Sequence, residues 1–319
     1  MTDLTATRTA SPTRAPSRKD RSEDDAITLR RREKRLAAIF LAPTVIGLGL
    51  FVVIPIIASV VLAFFRWDVI SSPKWAGLDN FNSLFTDPTL RSAFVNTIFF
   101  VVATVILQLS VALGLAVLVQ SRMPRWLQST LRSVFFFPII LSAASVSIIM
   151  SYLFNQQFGL VNTYLHDLGF GSIPWFTNGF SAQVMIILIY VWQNFGFTFL
   201  LFLGGLAGIP RDVYEASAID GAKGWRQFVH ITLPLLSPTT LVASVMAIIS
   251  ALQIFDQPYV ITQGGPGNST ETVVMVIYQD AFGQLQFGTA SAIGVLLTIV
   301  IMLVTALQFR LSRRFVYYS

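Results

Sequence analysis

Residues 209–234 read IPRDVYEASAIDGAKGWRQFVHITLP, a polar stretch that separates two long apolar stretches of the chain. Pro210 suits the first position of a helix, because the N–H that proline lacks would be unpaired there in any case. Asp220 followed by Gly221 is typical of a turn, because glycine adopts a positive φ without steric cost. The first half of the stretch therefore predicts a short helix that ends in a tight turn.

The second half of the stretch predicts another short helix that starts at Gly224 and is ended by Pro234. Four residues share one face of this helix by their i, i+3, i+4 and i+7 spacing: Trp225, Phe228, Val229 and Thr232. The whole stretch is therefore expected to form a helix–turn–helix elbow that presents an apolar ridge.

The sequence on both sides of this elbow is that of an all-α membrane protein. Hydrophobic residues make up 54% of the 319 residues and charged residues only 12%, whereas soluble domains are about 25% charged. Each apolar stretch has the roughly 20 residues that a helix needs to cross a bilayer, where backbone groups must be paired internally. Six transmembrane helices are predicted: Leu36–Phe65, Phe94–Val119, Val134–Phe154, Ala182–Gly205, Thr239–Thr262 and Ala290–Phe309.

Basic residues predict the orientation of these helices, because cytoplasmic segments carry an excess of lysine and arginine. Ten of the 22 basic residues lie within residues 1–35, and each later segment on the same side of the membrane carries three. The opposite loops, 66–93, 155–181 and 263–289, carry three, none and none. Both termini and the elbow are therefore predicted to be cytoplasmic.

The composition also predicts two regions along the chain. Residues 1–35 contain almost no large apolar residues and are expected to form a disordered, basic cytoplasmic tail that faces anionic lipid rather than nucleic acid. Residues 36–319 are expected to form the transmembrane domain.

Several classes of enzyme are excluded by missing residue types. The sequence has no cysteine and only two histidines, so thiolate catalysis and a histidine-rich metal centre are excluded. It contains no G-x-x-x-x-G-K-[ST] phosphate-binding loop, so ATP hydrolysis by this chain is not expected. No catalytic residue, metal ligand or bound cofactor is predicted.

The elbow resembles the EAA loop of permease subunits of ABC importers, whose pattern is Glu-Ala-Ala, three residues, Gly, nine residues, then Ile-x-Leu-Pro. The matching residues are Glu215, Ala216, Ser217, Gly221, Ile231, Leu233 and Pro234. Ser217 replaces the second alanine of the family pattern, which is a change between two small residues.

Further segments resemble the MalF-like, sugar-importing branch of that family. They are Gly77-Leu78-Asp79-Asn80-Phe81, Asn96-Thr97, and Gly264-Gly265-Pro266 followed by Thr270. The resemblance implies a MetI-like permease core in helices two to six, and it covers about residues 36–319.

The resemblance also implies that the elbow, residues 210–234, is the coupling loop that docks on a cytoplasmic ATPase subunit. An amphipathic helix lying in a groove suits this role, and the glycine permits a tight bend. The residues expected to couple to the ATPase are Glu215, Ala216, Asp220, Gly221, Ala222, Trp225, Phe228 and Pro234.

Polar residues near the centres of the predicted spans are candidates for a substrate pathway, because polar groups at membrane depth usually face a cavity or another helix. Amides and a carboxylate beside aromatic rings suit a neutral polyol. The candidates are Trp192, Gln193, Asn194, Gln253, Asp256 and Gln108. Each could instead hold helices together, and Asp256 could cap a helix or pair with Arg66 or Lys74.

The resemblance implies a multi-pass permease subunit of a bacterial cell membrane that serves an ATP-driven importer of mono- or oligosaccharides. The expected partners are a second homologous permease, two ATP-binding subunits that hold ATP and Mg²⁺, and an extracytoplasmic solute-binding protein such as a lipoprotein. Glu271 and Asp280 are expected to be solvated or to face that protein. The alternatives are an importer for glycerol phosphate or another polar solute, an ion-coupled secondary transporter, and a membrane enzyme.

Overall fold

The computed structural model describes residues 18–120 and 123–315, which are almost entirely helical. Within this part of the chain the only strands are β1 (Phe65–Arg66) and β2 (Lys74–Trp75), which pair antiparallel with Phe65 opposite Trp75. The chain divides into two compact units, of which the first ends at Ala58. The prediction of an all-α protein is confirmed.

The described residues of the first unit lie in one long helical segment. Helix α1 (Arg18–Leu48) continues through a π turn (Gly49–Val53) into helix α2 (Ile54–Leu62). The predicted disordered tail thus differs from the structure after residue 17, because the helix starts at Arg18. Residues 1–17 lie outside the described residues.

The second unit contains the remaining helices. In chain order they are α3 (Asp79–Thr86), α4 (Pro88–Gln120), α5 (Arg125–Phe136), a 3-10 turn (Phe137–Ile140), α6 (Ala143–Leu153), α7 (Leu160–Asp167), α8 (Gly179–Ala207), α9 (Arg211–Ile219), α10 (Trp225–Gln227), a π turn (Phe228–Thr232), α11 (Leu233–Leu235), α12 (Ser237–Leu252), a π turn (Pro258–Thr262), α13 (Val273–Tyr278), a π turn (Gln279–Gly283) and α14 (Phe287–Phe315).

Four helical segments in the described part of the chain are long and apolar enough to cross a membrane: Arg32–Leu62, Pro88–Gln120, Gly179–Ala207 and Phe287–Arg313. Two further pairs of helices pass the same test only when each bent pair is taken as one span. The predicted number of six spans therefore stays a prediction that depends on these two bent pairs.

The third predicted span, Val134–Phe154, is not one straight helix. The segments Arg125–Ile140 and Ala143–Leu153 meet at an angle of 100°. Pro138 lies in the 3-10 turn before the bend, and Leu141 is extended with ψ of 144°. Because proline lacks an N–H and leaves the helical ladder incomplete, the chain changes direction here.

The fifth predicted span, Thr239–Thr262, also differs from the structure. Helix α12 ends at Leu252, and a new helical turn starts only at Asp256. The second helical part of the elbow ends at Leu235, one residue after the end predicted at Pro234, and the chain bends there by 68°. Pro238 cannot donate an N–H to the carbonyl four residues before it, which interrupts the ladder at the bend.

The core of the second unit lies where α8 packs against α4, α5 and α12. Buried residues in this cluster include Ala112, Phe199 and Phe202. Gly196 permits the approach of α5, because a Cβ atom there would lie 2.3 Å from the carbonyl oxygen of Phe135. Helix α8 is thus central, and two-thirds of its most apolar window is buried.

Two loops that were predicted to lie on the outer side meet in the structure. The Asn96 amide donates to the carbonyl oxygens of Asn268 and Glu271 at 2.8 and 3.0 Å. The backbone N–H of Phe287 donates to the Trp67 carbonyl oxygen at 3.0 Å. The Asn96 contacts join α4 to the loop 263–289, and the Phe287 contact joins that loop to the loop 66–93.

Candidate functional site

The turn of the elbow is a Schellman motif at the end of α9. Gly221 has φ of +81°, and its N–H donates to the carbonyl oxygen of Ala218 at 3.2 Å. The N–H of Ala222 reaches back to the carbonyl oxygen of Ser217 at 2.9 Å. This pattern needs a residue of positive φ directly after the helix cap, which glycine adopts most easily. The predicted turn at Asp220 and Gly221 is confirmed.

A hydrogen-bond network holds the two helical parts of the elbow together. The Gln227 amide donates to the Ser217 hydroxyl at 2.7 Å and to the Tyr214 carbonyl oxygen at 3.1 Å. The Ser217 hydroxyl donates to the same carbonyl oxygen at 2.9 Å, and the hydroxyls of Tyr214 and Thr232 lie 3.3 Å apart. Ser217 is 6% exposed, so the serine is part of the internal support of the elbow. Sequence reasoning treated it only as a small residue.

The outer face of the elbow carries large apolar side chains in an exposed position. Ile219 is 87% exposed and Trp225 is 76% exposed. The Trp225 ring lies 5.4 Å from the ring of Phe228, which is partly buried. The other predicted coupling residues are also placed on the elbow: Glu215, Ala216, Asp220 and Gly221 are exposed, while Ala222 and Pro234 are partly buried. Exposed apolar side chains on a rigid turn are typical of a surface that binds another protein.

A second feature is a polar cavity of about 280 Å³ beside the middle of α8. It brings together four of the predicted pathway residues, namely Gln193, Asn194, Gln253 and Asp256. The residues that line the cavity are Ile139, Leu141, Ala143, Tyr190, Gln193, Asn194, Ser250, Gln253, Ile254, Phe255, Asp256 and Gln257. We call this space the central cavity.

The Gln193 side chain forms hydrogen bonds to both of the interrupted helices that border the central cavity. Its amide donates to the carbonyl oxygen of Leu141 at 3.2 Å, at the bend before α6. Its side-chain oxygen accepts a hydrogen bond of 2.9 Å from the amide of Gln257 in the helical turn after α12. Both amides are buried, so the walls of the cavity are fixed by paired polar groups.

Other polar groups that line the central cavity have hydrogen-bonding atoms that are available to a ligand. The Tyr190 side chain is 4% exposed, and its hydroxyl has no hydrogen-bond partner in the described residues. Gln253 and Asp256 are exposed and form no side-chain hydrogen bond or ion pair within the described part of the chain. Sequence reasoning missed Tyr190, whose spacing one turn before Asn194 was the available signal.

Two predicted pathway residues do not line the central cavity. The Gln108 amide donates to the Thr198 hydroxyl at 2.8 Å and so joins α4 to α8. Trp192 lies on α8 with 40% of its surface exposed. These positions fit the alternative role, in which Gln108 holds two helices together and Trp192 does not contact the substrate. Asp256 forms no ion pair with Arg66 or Lys74 in the described residues, and the Arg66 guanidinium instead lies 3.1 Å from the Asp79 carboxylate.

The segments that resemble sugar-importing permeases support the outer loops. The buried Asn80 amide donates to the carbonyl oxygens of Ala63 and Phe65 at 2.9 Å each. The Thr97 hydroxyl accepts from the N–H of Val273 at 3.1 Å, and the Thr270 hydroxyl donates to the Gly265 carbonyl oxygen at 2.9 Å. These residues fix backbone positions and do not reach the central cavity.

The carboxyl group of Glu271 lies in a buried position in the outer loops. The residue is 5% exposed, so the side chain is not solvated as expected, and its other expected role, facing a solute-binding protein, stays a prediction. Burial raises the pKa of this carboxyl group, and the negative charges of Asp87 and Asp280 raise it further. Burial and Asp87 also raise the pKa of Asp280. Within the described residues, no group of three or more acidic, histidine or cysteine side chains could hold a metal ion.

Comparison with protein families gives one match to a family model. The model for the binding-protein-dependent transport system inner membrane component matches residues 110–317, which is more than half of the chain. The matched region includes the elbow and the residues that line the central cavity.

Individual relatives match almost the whole chain. The sulfoquinovosyl glycerol transport system permease protein SmoG of Agrobacterium fabrum is 37% identical, with 88% of this chain and 91% of the relative covered. The arabinooligosaccharides transport system permease protein AraP of Bacillus subtilis is 32% identical over 89% of this chain and 90% of the relative. The lactose transport system permease protein LacF of Rhizobium radiobacter is 31% identical over 86% and 93%.

Solved structures show the same fold. A chain in the crystal structure of a bacterial ABC transporter involved in the import of the acidic polysaccharide alginate superposes with a TM-score of 0.79. The sequences are 22% identical, and the match covers 90% of this chain and 99% of the other.

Proposed function

Because this chain belongs to the family of inner membrane components of binding-protein-dependent transport systems, we propose that it is a permease subunit of an ATP-driven sugar importer. The elbow carries this proposal. Its exposed Ile219 and Trp225 stand on a turn whose backbone is fixed by a Schellman motif and by Gln227. A rigid apolar projection can transmit the motion of a bound protein, whereas a flexible loop would absorb it.

The proposed work of the elbow is to couple an ATPase to the transmembrane helices. A partner ATPase subunit binds ATP and Mg²⁺, and its closure moves the elbow. Because α10, the π turn and α11 lead directly into α12, a displacement of Trp225 is passed to the helix that ends at the central cavity. Alternating access of that cavity to the two sides of the membrane follows from this connection.

The central cavity supports a neutral, polyhydroxylated substrate. Its polar groups are amides, hydroxyls and the Asp256 carboxylate, and none of the lining residues is basic. Amide and hydroxyl groups donate and accept hydrogen bonds to sugar hydroxyls, and Phe255 and Tyr190 offer ring surface. A phosphorylated or carboxylated substrate would lack a cationic partner here, so glycerol phosphate is a weaker candidate.

The complete importer is proposed to contain a second homologous permease, two ATP-binding subunits and an extracytoplasmic solute-binding protein. The names of the relatives support a carbohydrate importer, since they include permeases for arabinooligosaccharides and lactose. One solved relative is described in complex with a periplasmic protein that holds an alginate pentasaccharide. The proposed location is the bacterial inner membrane, with both termini in the cytoplasm.

The experiment replaces one exposed apolar side chain of the elbow and measures binding of the ATPase. Trp225→Glu is expected to abolish co-purification of ATP hydrolysis with the permease, while the permease still inserts at the normal level. Gly221→Arg should have the same effect, because it adds bulk and strains a position of positive φ. Phe85→Glu, at an 80% exposed position on the predicted outer side, is the matched control and should retain the ATPase.

Full ATPase activity co-purifying with both elbow variants would contradict the proposal.

An ion-coupled secondary transporter is distinguished from an ATP-driven importer by its energy source. Uptake should continue when the proton gradient is collapsed and ATP is maintained, whereas uptake by a proton-coupled transporter would stop.

A further inference from the structure

Six aromatic rings form an unbroken line across the predicted outer half of the second unit. Neighbouring ring centroids are between 4.8 and 6.0 Å apart, in stacked, tilted and edge-on arrangements. In order, the rings are those of Phe255, Tyr259, Tyr278, Phe282, Phe287 and Trp67. We call this feature the aromatic line.

The aromatic line connects two polar spaces. At one end, Phe255 lines the central cavity beside Asp256. At the other end, Trp67 lines a polar cleft of about 520 Å³. This outer cleft is lined by Arg66, Trp67, Asp68, Ser71, Lys74, Asp79, Asn80, Ser83, Gln286, Gly288 and Thr289. The rings therefore run from one site that can bind hydroxyl groups to another.

The middle of the aromatic line is not buried in the core of the chain. Phe282 is 65% exposed and Tyr278 is 38% exposed, although both rings contact their neighbours. Gln284 and Gln286, which follow Phe282 in the chain, are also exposed. A row of rings that is exposed only at its middle, with a carboxylate at one end and polar side chains at the other, differs from a purely lipid-facing surface.

We propose that the aromatic line is the path along which sugar moves between the outer cleft and the central cavity. This inference rests on the proposed function in sugar import. A pyranose has a face of C–H groups that packs on an aromatic ring while its hydroxyls stay free to bind water or polar side chains. The ring spacing is similar to the width of one sugar ring, so a sugar contacts the next ring before it leaves the last.

The same arrangement explains why a row of rings is used rather than a row of hydrogen-bonding groups. Ring contacts are weak and depend little on orientation, so no position along the path holds the sugar strongly. Directional hydrogen bonds are kept for the two ends, at Asp256 and at the outer cleft.

The test compares two substitutions at Phe282, whose 65% exposed side chain contributes little to the packing of the fold. Phe282→Leu keeps an apolar side chain but removes the ring, whereas Phe282→Tyr keeps the ring. Phe85→Leu is the control at an exposed phenylalanine without a ring contact in the described residues. Uptake by cells with the intact importer is measured with radiolabelled glucose, lactose, maltose and arabinobiose at limiting concentration.

Phe282→Leu is expected to lower the uptake of the transported sugar about fivefold, while Phe282→Tyr and Phe85→Leu stay within about twofold of the wild type. ATP hydrolysis by the purified importer should be unchanged in all three, which shows intact assembly. Equal uptake by the leucine and tyrosine variants would overturn the path and would fit coverage of Phe282 by lipid or by a second permease. Failure of the wild type to take up any of the four sugars would overturn the proposed function itself.

Discussion

Substitution of Gln227 by methionine separates the rigidity of the elbow from its exposed surface. Methionine has a similar length and keeps the apolar stem, but it has no N–H to donate. The variant therefore loses the hydrogen bonds of 2.7 Å to the Ser217 hydroxyl and 3.1 Å to the Tyr214 carbonyl oxygen. The exposed side chains Ile219 and Trp225 are left unchanged.

The size of the effect follows from these two hydrogen bonds. Each contributes about 0.5–1.5 kcal/mol, and the Tyr214 carbonyl keeps the hydrogen bond from Ser217. We therefore expect the free energy of opening the elbow to fall by about 1–2 kcal/mol, which corresponds to about a five- to thirtyfold larger open population.

Hydrogen–deuterium exchange of the purified permease measures this opening directly. Amides in residues 211–235 should exchange about five to thirty times faster in Gln227→Met, because they exchange through local opening. Arg226→Met, at the exposed neighbouring position, is the control and should exchange at the wild-type rate. Equal rates in Gln227→Met and the wild type would refute the view that this network holds the elbow.

The intact importer provides a functional consequence of the same change. A loosened elbow that still binds the ATPase should hydrolyse ATP normally but move less sugar for each ATP. A parallel loss of ATP hydrolysis and uptake would instead indicate that Gln227 contributes to docking.

Three further predictions concern stability and are measured by thermal unfolding of the purified permease. Gly196→Ala places a Cβ atom 2.3 Å from a backbone carbonyl of α5 and should cost about 2–3 kcal/mol, whereas Gly204→Ala, with open space around it, should leave Tm unchanged or slightly raised. The folded state raises the pKa of Glu271 and so holds its proton more tightly than the unfolded state. Stability therefore falls as the pH rises above the ordinary carboxyl range, and Glu271→Gln should flatten this fall. Asn162→Leu removes the acceptor of the buried Trp175 indole N–H at 2.9 Å and should lower Tm by several degrees, with faster proteolysis of the loop 155–181; an unchanged Tm would show that another group replaces the amide.

The parts of this protein that were predictable are those that neighbouring residues decide. An apolar stretch of sufficient length must pair its backbone groups internally in lipid, so Phe94–Val119 and Ala182–Gly205 were correctly placed within α4 and α8. The turn of the elbow was predictable for the same reason, because Gly221 meets a backbone requirement that arises within six residues.

Side-chain roles were predictable only in part. Gln193 and Gln253 share a cavity as expected, but Gln108 is an equally polar residue at a similar depth and joins two helices instead. The difference depends on which face of each helix meets α8, and that face is decided by packing. The sequence shows that a polar group lies at membrane depth. It does not identify the group's hydrogen-bond partner, because that partner lies on another helix.

The sequence by itself thus determined the helical class, the unbroken spans within α4 and α8, and the local geometry around Gly221. Only the tertiary structure decided where helices bend, that Gln193 joins the Leu141 bend to Gln257, and that six rings form a line. The physical reason is the separation along the chain over which each effect acts. Backbone preferences and hydrophobic length act between neighbouring residues. The hydrogen bonds of Gln193 join residues 52 and 64 positions apart, which only packing brings together.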